Sequence, residues 1–203
     1  MTHHKRTNRT NRTKPAKRTK EKNVFVAVCF AAVALAASAI RTPQSATQQP
    51  KQPDVHFAAT PMPVADAMLK LARVSSNDVV YDLGSGDGRI VILAAQKYGA
   101  RGVGIEIDPR LVELSRTVAR DGEVTDRVTF IEGDLFAADI SAATVVTLWL
   151  TASVNARLTP KLLRELRPGT RIVAHQFALG QWAPEQTVRV GGDEIFLWTV
   201  PPR

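Results

Sequence analysis

The chain has 203 residues, 44% hydrophobic, 23% charged and 6% aromatic. That is room for one catalytic-sized domain with extensions, and the composition excludes wholesale disorder, collagen and a polytopic membrane protein. One cysteine (Cys29) excludes an intramolecular disulfide scaffold, and His3, His4, His56 and His175 show no zinc-ligand spacing, so no metal is expected. The net charge of +8 sits in residues 1–22, where nine Lys/Arg face only Glu21; residues 23–203 hold 18 basic and 18 acidic residues. No nucleic-acid-binding domain is expected from that balance.

In chain order, 1–22 is a basic tail. It is followed by 23–40, Asn23 to Ile40, without a charge and just long enough for a spanning helix of ~20 residues (range ~17 to 25). An N-terminal single-pass hydrophobic anchor is expected here, making the protein membrane-associated. Ala37-Ser38-Ala39 leaves open a cleaved signal peptide with an exported domain, and the Arg/Lys/Thr-rich start leaves open a mitochondrial presequence and an inner-membrane location. Residues 41–54, rich in Pro, Gln, Ser and Thr, read as a linker, and 55–203 as the folded domain.

Within that domain, Thr60 as N-cap with Pro61 at the first helical position opens a helix whose apolar face is Val64, Met68, Leu69 and Leu71. A buried strand over 78–83 follows, then glycines, a helix from Arg89 to Tyr98 and a strand over 102–107. Asp108-Pro109 opens a helix to about Arg120. Three further strands are expected at 128–131, 144–150 and 171–175, with a helix from Ser153 to Leu166 before the last of them. Gly191-Gly192 between two β-rich runs marks a closing hairpin over 186–200. Strands alternating with helices predict an α/β fold, a Rossmann-like doubly wound, mostly parallel sheet with a C-terminal antiparallel hairpin.

Asp82-Leu83-Gly84-Ser85-Gly86-Asp87-Gly88 falls where the first strand turns into a helix, the place where such sheets bind nucleotides. Glycines there let backbone approach a ligand, and the helix N-terminus beyond offers unpaired N–H groups. Glu106, twenty residues past Gly86 at the end of the next strand, can accept hydrogen bonds from both hydroxyls of an adenosine ribose. The NAD fingerprint asks for glycine at position 89, which is Arg89.

With these residues the chain resembles the class I S-adenosylmethionine-dependent methyltransferases. The resemblance extends to Glu132-Gly133-Asp134-Leu135, where that family places an acid (Asp134) against the adenine amino group and a backbone N–H (Leu135) against the ring. Over 55–200 it looks more closely like the membrane-associated protein-lysine methyltransferases related to the mitochondrial ATP synthase c-subunit enzyme. Phe57 to Pro61, the run from Asp82 to Ile92, Arg171 to Phe177, and Trp182 with Pro184 carry that likeness. It implies S-adenosylmethionine as cofactor, a lysine acceptor on a protein, and an N-terminal anchor; Leu148-Trp149-Leu150-Thr151 and His175-Gln176 depart from the family pattern. His175, Trp149, Thr151 and Trp182 are candidate acceptor-site residues by their position at strand ends. A monomer is the default. Two rival readings stand beside this one: a small-molecule methyltransferase, and a tethered or exported nucleotide-binding module without catalysis. The last is motivated by the positive-inside rule, which would set the domain across the membrane from the cytosolic methyl donor.

Overall fold

A computed structural model describes residues 58–203. Among these, no helix is long and apolar enough to cross a membrane; the longest has 14 residues. This corrects the expected membrane-associated location, and segment 23–40, on which it rested, lies outside the described residues, as do the tail and linker.

The elements are α1 (Met62–Leu71), β1 (Val79–Leu83), α2 (Arg89–Tyr98), β2 (Arg101–Glu106), α3 (Pro109–Asp121), β3 (Val128–Glu132), β4 (Val145–Leu148), α4 (Ala152–Glu165), β5 (Arg171–His175), β6 (Gln186–Val190) and β7 (Asp193–Thr199). They form one seven-stranded sheet in the order β3-β2-β1-β4-β5-β7-β6. The first five strands in that row are parallel, and β7 runs antiparallel to both β5 and β6. Sheet order reverses direction between β1 and β4, so a crevice opens there beyond the strands' carboxyl ends.

Side-chain alternation divides the core. Val80, Val145, Val173 and Ile195 pack with α1, α2 and α3 on one face, while Tyr81, Val146, Ile172 and Trp198 pack with α4 on the other. Asp82, Thr147, His175 and Asp193 continue the first of these parities beyond the apolar rows. They line up on the α1–α2 face at the end of the sheet where the crevice lies.

Local signals explain the boundaries. Asp108 caps α3, its side chain accepting from Arg110 N at 2.9 Å, and Gly99 ends α2 in a left-handed conformation. The expected Thr60 cap is corrected: the N-cap of α1 is Pro61, and Pro63 occupies the first turn. A first turn needs no N–H from its own residues, so both prolines fit there and the start moves one residue on. At the opposite end of the sheet, Arg171 ties β5 to Asp78 and to the Ala72 carbonyl. Burial pushes the Asp78 carboxyl up, but bonds from Thr144 and Ser75 and the Arg171 charge together hold it below its usual value.

Candidate active site

The chain leaving β1 is folded back by Gly84 N and Ser85 N, which donate to the Ile105 carbonyl of β2 at 2.8 and 3.0 Å. Gly88, at φ +78°, is the N-cap of α2, and a Cβ on it would stand 2.5 Å from two Phe130 ring carbons and 2.9 Å from Ser115 Cβ. Gly88→Ala therefore combines a left-handed alanine with overpacking. We expect a loss on the order of 2–4 kcal/mol, seen as a melting temperature lowered by ~5 to 15 °C in circular dichroism.

Glu106 lies buried beside this loop. Its Oε2 accepts from Gly86 N at 2.9 Å, and its Oε1 accepts from Ile107 N and Asp108 N at 2.8 and 2.9 Å. A carboxylate offers roughly four lone-pair sites, so about one remains for a ligand hydroxyl.

Asp82 is 3% exposed, and its Oδ1 accepts from the Thr147 hydroxyl at 2.7 Å. Burial is the main force pushing its carboxyl up, to about 7; Thr147 opposes this and the nearby Glu106 and Asp87 add to it. A carboxylate so placed is poised to ionise against a cation.

Asp82, Gly84, Ser85, Gly86, Asp87, Arg89 and Trp149 line an open cleft, together with Ala58 to Thr60, that encloses about 310 Å³ including its mouth. Arg89 is spent on structure: it pairs with Asp87 through Nε and Nη2, and its Nη1 donates to the Thr60 carbonyl at 2.9 Å. The Ser85 hydroxyl is buried without a hydrogen-bond partner. Glu106, Asp134 and Leu135 are not part of that lining. They stand toward the β3 edge, where Asp134 Oδ1 accepts from Phe136 N at 2.9 Å.

The acceptor-side candidates separate. Trp149 and His175 are together, ring centroids 4.5 Å apart, but only Trp149 reaches the cleft; His175 is 1% exposed. Burial pushes the imidazole down, and the Asp193 carboxylate at 3.4 Å only partly opposes it. Thr151 is the N-cap of α4, its Oγ1 accepting from Val154 N at 3.4 Å. Trp182 packs at 6.2 Å from Trp198, whose indole N–H donates to the Trp182 carbonyl.

Thr147 and Asp193 belong to this region although no motif singled them out. For Thr147 a signal existed, since it is the one polar residue in the buried strand Val145–Leu148.

The fold and the strand-end crevice define a class I methyltransferase. Residues 82–186 match the ANTKMT methyltransferase domain family. The chain is 46% identical over 140 residues to a protein-lysine N-methyltransferase of Saccharolobus islandicus, covering 68% of this chain and 86% of that one. It is 37% identical over 134 residues to the adenine nucleotide translocase lysine N-methyltransferase of Mus musculus, covering 66% of this chain but only 58% of that longer one. Among solved structures, an RNA methyltransferase from Salinibacter ruber in complex with S-adenosyl-L-homocysteine is 57% identical, with a TM-score of 0.71, covering 72% of this chain and 95% of that one. This chain belongs to the ANTKMT methyltransferase domain family. It is an S-adenosylmethionine-dependent methyltransferase, and the reading of a binding module without catalysis falls away.

The residues present suit that cofactor. Three glycines at positive φ, Gly84, Gly86 and Gly88, let the loop take left-handed turns that side chains disfavour and leave its backbone open to a ligand. A buried hydroxyl without a partner and a buried carboxylate face the same cleft as these glycines, matching a ligand that carries both hydrogen-bonding and cationic groups.

Proposed function

We propose that the protein methylates the ε-amine of a protein lysine. The observation that carries this reading is the charge at the mouth of the crevice. Residues 58–203 hold 16 basic and 17 acidic residues, and at the crevice end Arg89, Arg110 and Arg189 are each paired with an acid, Asp87, Asp108 and Glu194. Arginines held in pairs offer little to a phosphate backbone, which leaves a lysine the better-suited acceptor. The similar proteins named above differ on this point, two described as acting on protein lysine and one on RNA, and the charge favours lysine.

In this reading the cofactor is held by the loop from Asp82 to Gly88, with Asp82 against its ammonium, Ser85 and the loop amides on its polar end, Glu106 on its ribose and Asp134 with the Leu135 N–H on its adenine. Bound, it supplies a methyl group already activated by the sulfonium. What remains for the protein is to align a nucleophile and to strip it of water and of a proton. A lysine with a reference pKa of ~10.4 is neutral about once in 2,500 at pH 7, so desolvation against Trp149 favours the reactive form. All these residues fall in the unit 55–203, which we take as the catalytic domain; His175 acts from behind Trp149, and Thr151 shapes the start of α4.

The test is transfer from radiolabelled S-adenosylmethionine to poly-L-lysine and to ribosomal RNA in parallel, with hydrolysates read by mass spectrometry. Methyl-lysine is expected, forming faster as pH rises from about 7 to 9 while the neutral amine grows. Label in RNA with none in lysine would overturn the acceptor.

A further inference from the structure

Beside the cleft lies a cluster to which no cofactor contact has been assigned. Gln176, directly after β5, has φ +66°, a conformation that residues other than glycine rarely adopt. Its N–H donates to the Glu194 carbonyl at 2.8 Å, and its side-chain amide donates to Asp193 Oδ1. The same Oδ1 stands 3.4 Å from His175 Nε2, yet neither nitrogen of that buried ring makes a hydrogen bond. The ring lies instead against Trp149, centroids 4.5 Å apart and planes at 40°. Trp149 is the residue of this cluster that lines the cleft.

Two of these links are individually unfavourable, a left-handed glutamine and a buried imidazole without a hydrogen bond. They lead in one direction, from the C-terminal hairpin through β5 to the indole. Strain and unsatisfied polar groups kept together at the edge of a cleft mark a part of the structure held for its position rather than for stability. An indole lining a cleft beside the Asp82 and Asp87 carboxyl groups is suited to a cation, which an aromatic ring attracts by about 0.5 to 2 kcal/mol.

We propose that Asp193 and Gln176, acting through His175, are positioning residues that fix the Trp149 indole as the wall against which the acceptor alkylammonium packs. This rests on the lysine reading above. The hairpin thereby sets acceptor affinity, while the glycine loop on β1 sets cofactor affinity.

The test uses the full chain, poly-L-lysine as acceptor, and four variants: Trp149→Ala, Asp193→Ala, their double, and Gln176→Gly. Asp193→Ala is expected to raise the acceptor KM about 3- to 30-fold, with kcat within threefold and the S-adenosylmethionine Kd, by calorimetry, within twofold. The double variant should be no worse than Trp149→Ala alone, because both remove one wall. Gln176→Gly suits the left-handed backbone, so it should fold at least as well as the parent and still raise the acceptor KM. Unchanged acceptor KM in Asp193→Ala or Gln176→Gly, effects that multiply in the double variant, or an equal loss of cofactor binding would each overturn the proposal. Failure of the lysine reading looks different: the parent itself then leaves poly-L-lysine unlabelled, and a wall for an alkylammonium fails with it.

Discussion

Asp82→Asn should make the cofactor-free domain more stable at pH 8 while removing most of its affinity for S-adenosylmethionine. The carboxyl's pKa is raised from its ordinary 3.8 to about 7 by burial. The folded state therefore holds the proton more tightly than the unfolded chain. Its contribution to stability is fully present below pH 3.8 and is lost as pH rises through about 7. At pH 8 the ionised group costs up to ~4 kcal/mol, which asparagine avoids while its side-chain oxygen still accepts from Thr147. A gain on the order of 2–4 kcal/mol corresponds to a melting temperature higher by ~5 to 15 °C. The same proton gives the cofactor's affinity a pH dependence. A cation pairs with the carboxylate, so Kd should rise as pH falls below about 7, by as much as about tenfold per unit. Calorimetry at pH 5.5, 7 and 8.5 on parent and variant checks both halves, and a variant that melts lower, or binds equally well, would show that Asp82 plays no such part.

Glu106→Ala should do the reverse to stability and the same to binding. Its carboxylate accepts from Gly86, Ile107 and Asp108 N–H groups, and Gly86 is buried. Alanine leaves those donors short of partners at ~1 to 3 kcal/mol for a buried one, and the loop between β1 and α2 loses its tie to β2. The expected outcome is a fall in melting temperature of ~5 to 15 °C together with a loss of cofactor affinity of ~1.5 to 3 kcal/mol, about 10- to 150-fold, for the one ligand hydroxyl the carboxylate has room to accept. Glu106→Gln should fall between, because one acceptor oxygen is exchanged for a donor that faces backbone N–H groups. The two carboxylates are thus separable: thermal melts of the cofactor-free proteins should move in opposite directions while both variants bind weakly. Parallel shifts would refute the distinction.

Where structure is local, the chain could be read residue by residue. The helix Arg89–Tyr98 follows from an apolar stripe between Gly88 and Gly99. The strand Arg171–His175 follows from a short apolar run after Pro168-Gly169, and the hairpin from Gly191-Gly192 between β-rich segments. The meeting of the glycine loop with Glu106, whose Oε2 accepts from Gly86 N, was legible in their twenty-residue spacing across one strand–helix–strand unit. Thr60 was misplaced by one residue because two prolines, at 61 and 63, compete for the same first turn.

What the amino-acid sequence determined by itself is the alternation of elements, the turn chemistry and the spacing of Asp82, the glycines and Glu106; these depend on neighbours within a few residues or on strand periodicity. The tertiary structure alone decided which distant groups meet. Insertion of β7 between β5 and β6 pairs His175 with Ile195 and carries Asp193 to within 3.4 Å of the imidazole. The β1–β4 register sets Thr147 against Asp82, and burial at that junction moves the Asp82 proton into the neutral range. Register and dielectric are properties of the packed sheet, and no spacing along the chain encodes them without the fold.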